Sequence, residues 1–431
     1  MALWGGQRSG LVSGLAFIAL AVVSIATSLP GSNGREKHSA IEQPRGLNSR
    51  LTNEYCHADT LRKMENSMER FLAQWGIHGA TLAVMRNDSL VYAHGFGYAD
   101  EDVPMEPNHL MRVASVSKLI TAAGIMKLVE EGKLALTDTV FGPEDILGEY
   151  SSLIKDKNWF RITIEHLLMH EAGFIVGGAG DPLFSTRTLM RRYDLSEPPS
   201  ADHIIRSQLS RRLGYRPGTS SRYSNFGYLL LSVIIEKAGG KDYETWIKDN
   251  ILTPAGCHDM HIARNYYEER YPGECRYYAH AGEEPVLCFE GDSVMVERCY
   301  GANDITALQG AGAWVCSVPE LMLLIASIDG RPEVPDVLSR ESVERMTAPT
   351  DDVTFGLGWN DCSPEGTWTR SGTLSSTSAL IKYFPDGECW VLVTNTGTYR
   401  GPHFTKYIST QFRRMRELYS PILPARDLFQ E

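Results

Sequence analysis

Ser115 and Lys118 stand three apart at the head of the run Ser115-Val116-Ser117-Lys118-Leu119-Ile120-Thr121-Ala122-Ala123. Few helix breakers follow, which predicts a helix from near Ser115 to about Glu131, closed by Gly132. Three residues make about one turn, so the hydroxyl and the ammonium project from one face. A serine at a helix start has free backbone N–H groups and the positive dipole end beside it, both suited to a developing oxyanion. A lysine one turn on, held neutral by burial or by its neighbours, can take the hydroxyl proton. Alone, Ser-x-x-Lys is a weak signal. Ser152-Leu153-Ile154-Lys155 repeats it in a polar stretch with no long helix behind, where a solvated surface segment is expected. The bland alternative for Ser115 is a helix cap, with Lys118 in solvent.

Further support comes from two later stretches. Arg222-Tyr223-Ser224-Asn225-Phe226-Gly227-Tyr228 leads into an apolar helix over Leu229–Lys237. A tyrosine phenol beside a charged lysine has its anion stabilised and can act as a general base. Asn225 can bond a substrate carbonyl and Lys118; its alternative role is an N-cap. Arg370-Ser371-Gly372-Thr373 precedes a strand whose edge can supply a second oxyanion N–H, with Gly372 allowing close approach.

The elements that must position these groups follow from pattern. Leu61, Met64, Met68, Phe71, Leu72 and Trp75 recur at helical spacing over about 58–75. Thr81–Arg86 and Leu90–His94 are strand-like across the turn Asn87-Asp88. Ser378–Phe384 and Cys389–Asn395 form a second hairpin across Pro385-Asp386-Gly387, and a last helix covers about His403–Leu418. Strands, a long helical middle and strands again predict an α+β fold. An antiparallel sheet is built from both chain ends and flanked by helices, with a helical insertion. The expected boundaries are an α/β part over about 51–140 and 305–420, a helical part over about 141–304, and a tail over 421–431.

Arg8, the apolar run Leu11–Ala26 and small residues before Pro30-Gly31 predict a signal peptide over 1–28, hence a secreted chain. The alternative is an uncleaved membrane anchor through residues 11–29. After processing no stable membrane span is expected. Residues 29–50 are polar and predict a flexible linker. Eight cysteines follow the leader, four of them between 257 and 299, an even count that predicts disulfides in a secreted chain. Asn87-Asp88-Ser89 is a glycosylation sequon on the predicted turn. A formal net charge of -11 argues against nucleic acid as a partner. His166 and His170 have zinc-ligand spacing, but the His-Glu-x-x-His order is absent and structural roles are expected, as for His258 and His261.

Ser115-x-x-Lys118, Tyr223-x-Asn225 and Ser371-Gly372 before the final hairpin, in that order, resemble the class C beta-lactamase-related family. That family includes penicillin-binding D-alanyl-D-alanine carboxypeptidases and many esterases. Gly95–Asp100, Leu167–Gly173 and Gly310–Trp314 resemble family segments in the same sequence, and the resemblance spans roughly 58–418. It implies a beta-lactamase/transpeptidase-like fold acting on a small-molecule or peptide acyl substrate, an ester or an amide, with no metal or organic cofactor. Ser115 is then the acylated nucleophile. Lys118 and Tyr223 activate it and return the proton, Asn225 orients the substrate, and the N–H groups of Ser115 and Thr373 form the oxyanion hole. His170 matches a structural position. The family usually carries Lys or His where Arg370 stands. Arginine stays charged; it is expected to hold the tyrosinate or a substrate carboxylate, while Ser371, Gly372 and Thr373 are expected to bind the substrate. The contrasting function is a catalytically silent binding or scaffold protein that keeps the fold.

Overall fold

The computed structural model describes residues 46–175, 180–291, 293–351 and 355–431. Strands β1 (Gly79–Arg86), β2 (Ser89–Asp100) and β3 (Val103–Pro104) come from the early chain. Strands β4 (Asp361–Cys362), β5 (Trp368–Leu374), β6 (Thr377–Tyr383) and β7 (Glu388–Thr394) come from its end. They form one sheet in the order β3-β2-β1-β7-β6-β5-β4, with every pairing antiparallel. The two chain ends meet at its centre, where Ala80 opposes Thr394 and Arg86 opposes Glu388. The fold is thus the α+β architecture expected of a beta-lactamase-like chain.

Five helices cover the sheet or carry the site: α1 (Arg62–Trp75), α2 (Ser117–Glu130), α3 (Asn225–Gly239), α4 (Val318–Ala326) and α5 (Phe404–Tyr419). Successive strand residues point to opposite faces, and that alternation sorts the core. Ala80, Leu82, Val84, Leu380, Trp390 and Leu392 pack with Met64, Met68 and Leu72 of α1 and with Phe404, Ile408 and Phe412 of α5. Ala83, Met85, Ala379, Ile381, Val391 and Val393 belong to a larger core with Leu119, Ile120 and Ala123 of α2 and Leu321, Leu324 and Ile325 of α4. Helix α3 is buried from Phe226 to Ile235, as a helix apolar on all sides must be.

Several expectations need correction. Strand β2 runs on through Gly95–Asp100, because that segment pairs with both β1 and β3. The middle is helical only in its first part. From Cys257 on it holds short strands: Val286–Leu287 pairs with Met295–Val296, and His261–Ile262 pairs with Trp314–Val315. Residues 46–50 are packed, not linker: Ser317 Oγ donates to Asn48 Oδ1 (2.6 Å) and Arg50 donates to the Phe429 carbonyl. The 421–431 tail is docked as well, with Leu428 buried and its N–H donating to the Leu90 carbonyl (2.9 Å). The eight cysteines form no disulfide; all are buried free thiols. They are spread through the core, and some find carbonyl partners instead, such as Cys257 Sγ with Glu320 O (3.2 Å). The leader and most of the linker lie outside the described residues. Asn87 is exposed on the β1–β2 turn, where Asn87 and Asp88 both adopt positive φ (47° and 59°).

Candidate active site

The turn carrying Ser115 is wound more tightly than expected. Ala114–Val116 is a single 3-10 turn, and regular helix begins only at Ser117. Ala114 takes a left-handed φ of 49°, an unfavourable conformation for a residue with a Cβ, and such strain collects at functional turns. Three bonds hold it. Val113 N–H donates to the Trp314 carbonyl (3.0 Å), Ser117 Oγ donates to the Ala114 carbonyl (2.6 Å), and Trp314 N–H donates to Ser117 Oγ (3.0 Å).

Lys118 is fully buried one turn on. Its Nζ donates to Asn225 Oδ1 (2.8 Å), to the Ala311 carbonyl and, more loosely, to Ser115 Oγ (3.4 Å). Three acceptors around one nitrogen suit an ammonium. Burial nevertheless pushes Lys118 down to about 8, with Tyr223 opposing the shift and Arg370 adding to it. The Tyr223 hydroxyl donates to Ser115 Oγ at 2.6 Å, and Lys118 Nζ lies 4.7 Å from its ring centroid. Burial of the phenol oxygen opposes ionisation. The charges of Lys118 and Arg370, with hydrogen bonds from Lys118 and Ser115, outweigh it and lower the phenol below its usual range. Ser115, Lys118 and Tyr223 therefore converge on one oxygen.

Tyr223 and Asn225 are set by a clamp that sequence reasoning treated as generic structure. His170, itself left-handed (φ 58°), accepts Arg222 N–H on its carbonyl (2.8 Å) and Ser224 N–H on Nδ1 (3.1 Å). Its ring lies 4.6 Å from that of Tyr223. Burial, then the nearby Lys118 and Arg370 charges, hold His170 far below its normal range, so it is a neutral acceptor. His166 is likewise a cap, its Nδ1 accepting Thr163 N–H (3.2 Å). Ser224, not Asn225, is the N-cap of α3. That leaves the Asn225 amide free to bridge Lys118 and Asp181, whose Oδ2 accepts Asn225 Nδ2 (2.8 Å).

Strand β5 closes the site. A Cβ on Gly372 would lie 2.4 Å from the Val113 carbonyl and 2.9 Å from Ser115 N, so only glycine lets this strand lie against the serine turn. Asn360 N–H donates to the Thr369 carbonyl (2.9 Å), and Ser371 N–H donates to Asn360 Oδ1 (2.6 Å). Residues 369 and 371 thus turn their polar backbone away from β6, and by the period of two Thr373 N–H points the same way, towards the free edge. Ser371 Oγ also faces Asn360 (3.2 Å).

Arg370 is not where a carboxylate-binding side chain should be. It is fully buried, and its Nε (2.8 Å) and Nη2 both donate to the backbone carbonyl of Ser115. Its Nη1 is buried and has no partner among the described residues. The bulk of Arg370 is taken up behind the nucleophile because its side chain shares the buried face of β5 with Gly372. Sequence reasoning also missed Asp181, Asn360 and the Ala311 carbonyl. Only the last had a signal, the small residues of Gly310-Ala311-Gly312, which let backbone approach Lys118 and Thr121.

Comparison with known proteins places the chain in a family. The sequence profile of the family described as Beta-lactamase matches residues 64–407. Penicillin-binding protein 4* of Bacillus subtilis (strain 168) is 32% identical over 342 residues, which cover 74% of this chain and 68% of that protein. Esterase EstB of Burkholderia gladioli is 26% identical over 372 residues, covering 79% and 91%. Among solved structures, D-amino acid amidase from Ochrobactrum anthropi SV3 superposes with a TM-score of 0.64 at 22% identity, covering 84% of this chain and 99% of that one.

Proposed function

The chain belongs to the beta-lactamase family and is a serine hydrolase of that type, and from that premise we propose that it forms an acyl-enzyme on Ser115 with an ester or amide substrate. The observation that carries the proposal is the Ser115 oxygen, held 2.6 Å from the Tyr223 hydroxyl and 3.4 Å from Lys118 Nζ. Tyr223, as phenolate, takes the Ser115 proton while Oγ bonds to the acyl carbon. The carbonyl oxygen becomes an oxyanion beside the N–H groups of Ser115 and Thr373. The bond to the leaving group then breaks, and Tyr223 returns the proton to that group. Water enters by the same route and frees the acid. Lys118 stays an ammonium that holds the phenolate low and fixes Asn225, which aligns the substrate carbonyl. Arg370 touches no substrate in this scheme; it anchors the serine backbone and adds positive field at Tyr223.

Arg8 and the Leu11–Ala26 run support export of the chain, and the exposed Asn87 supports glycosylation where the host provides it. The test of the acyl-enzyme is labelling with a fluorophosphonate and with a fluorescent penicillin, followed by peptide mapping. The adduct is expected on Ser115 and is lost in Ser115→Ala. An adduct on Ser152, or full turnover in Ser115→Ala, would end the proposal.

A further inference from the structure

A cavity of about 290 Å³ has Trp159, Phe174, Ile175, Leu213 and Phe226 as its apolar wall. The three aromatic rings pack on one another: Trp159 and Phe174 centroids are 5.3 Å apart, Phe174 and Phe226 5.0 Å, Trp159 and Phe226 6.4 Å. The indole N–H is already used, donating to the Arg211 carbonyl (3.0 Å), so no polar demand of Trp159 falls on the cavity. Asp181 lines the same cavity and bonds Asn225, which bonds Lys118. The cavity is thus linked to Lys118 through Asp181 and Asn225, and Ser224, which also lines it, stands between Tyr223 and Asn225 in the chain. Tyr223, which protonates the leaving group in the acyl-enzyme reading, does not line the cavity and keeps 36% of its surface exposed, which assigns the leaving group to the solvent side.

We propose that this cavity receives the acyl side of the substrate, and that the enzyme selects acyl groups carrying an aryl or medium-length alkyl chain. This rests on the Ser115 acyl-enzyme. At about 30 Å³ per water-sized group the space takes roughly eight to ten non-hydrogen atoms. A preformed aromatic wall costs little ordering on binding, and each methylene moved from water into it should raise kcat/KM roughly three- to fourfold.

The test is a series of p-nitrophenyl esters from acetyl to dodecanoyl. The expected profile climbs to about hexanoyl or octanoyl and then falls. Leu213→Trp, which fills the cavity, should collapse the octanoyl-to-acetyl ratio at least tenfold, and Phe174→Ala should move the optimum to longer chains and act as the second variant should Leu213→Trp fail to fold. A flat series, or a ratio unchanged in both variants, overturns the proposal. So does a chain-length dependence that appears only when the alcohol is varied. Calorimetry on Ser115→Ala separates this from the catalytic reading: N-methyloctanamide should bind and N-methylacetamide should not. Binding without any turnover would sink the Ser115 mechanism and leave the cavity as an apolar site. Turnover through Ser115 without such binding would sink the cavity alone.

Discussion

Replacing Arg370 separates its possible roles. In Arg370→Met the two hydrogen bonds to the Ser115 carbonyl vanish, and with a charged donor such bonds contribute about 1.5–3 kcal/mol each. Taken together, roughly 3–6 kcal/mol is lost. Against this, Nη1 is buried with no partner among the described residues, a burden of about 1–3 kcal/mol that a thioether removes. The net destabilisation should be about 2 kcal/mol, seen as a lower midpoint in urea. Activity should fall further than stability suggests, because the serine carbonyl loses its anchor and Tyr223 loses one of the two charges that favour its anion. A fall of at least tenfold in kcat/KM is expected, on the order of 1.4 kcal/mol or more. The loss should be equal, within about a factor of two, for p-nitrophenyl butyrate and for mono-p-nitrophenyl succinate. The acid limb of the pH profile should move to higher pH, since the phenol is then harder to ionise. Arg370→Lys keeps the charge without the fork, so it should restore the limb better than the stability. A tenfold greater loss on the anionic ester would refute this reasoning and return Arg370 to the substrate. No loss on either ester would remove it from catalysis altogether.

Three other outcomes are expected. If Lys118 works as an ammonium, kcat/KM should fall as pH rises through about 8, the value to which burial pushes it, and Lys118→Arg should abolish that limb at a lower rate; a rising limb there would make neutral Lys118 the base. Asp88 is buried against Asp329, and burial followed by the hydrogen bond with that carboxyl pushes it up to about 8. Its folded value exceeds the unfolded one, so stability is lost as pH rises from about 4 to about 8. Asp88→Asn should therefore gain roughly 2 kcal/mol at pH 8 and less at pH 5, read as Tm at both, and an equal Tm shift at the two would contradict it. Finally, denatured protein without reductant should titrate as eight thiols, while the native fold should hide nearly all of them, because burial pushes Cys56 and Cys362 up to about 12; fewer than eight in denaturant would restore a disulfide.

The sheet was legible because its information is local. Period-two apolar runs, the Asn87-Asp88 turn and the Pro385-Asp386-Gly387 turn each specify a hairpin without knowledge of the rest. Ser115 with Lys118, and Tyr223 with Asn225, were legible for a related reason: each pair is fixed within one turn of chain. What joins the pairs is not local. Lys118 reaches Asn225 across 107 residues and the Ala311 carbonyl across 193, and both its hold on these partners and its lowered pKa are properties of that enclosure, not of Ser-x-x-Lys. The same holds for the direction of Arg370. The chemistry of a guanidinium suggests a carboxylate, but a side chain on β5 faces whichever side the pleat gives it, and Gly372 marks that side as the one pressed against the serine turn. Two residues apart on one strand, the arginine and the glycine must share a face, and that pairing already implies that Arg370 is spent on the backbone of Ser115. Asp181 carried no signal of any kind, since a lone aspartate in a loop becomes part of the site only when α3 brings Asn225 to it.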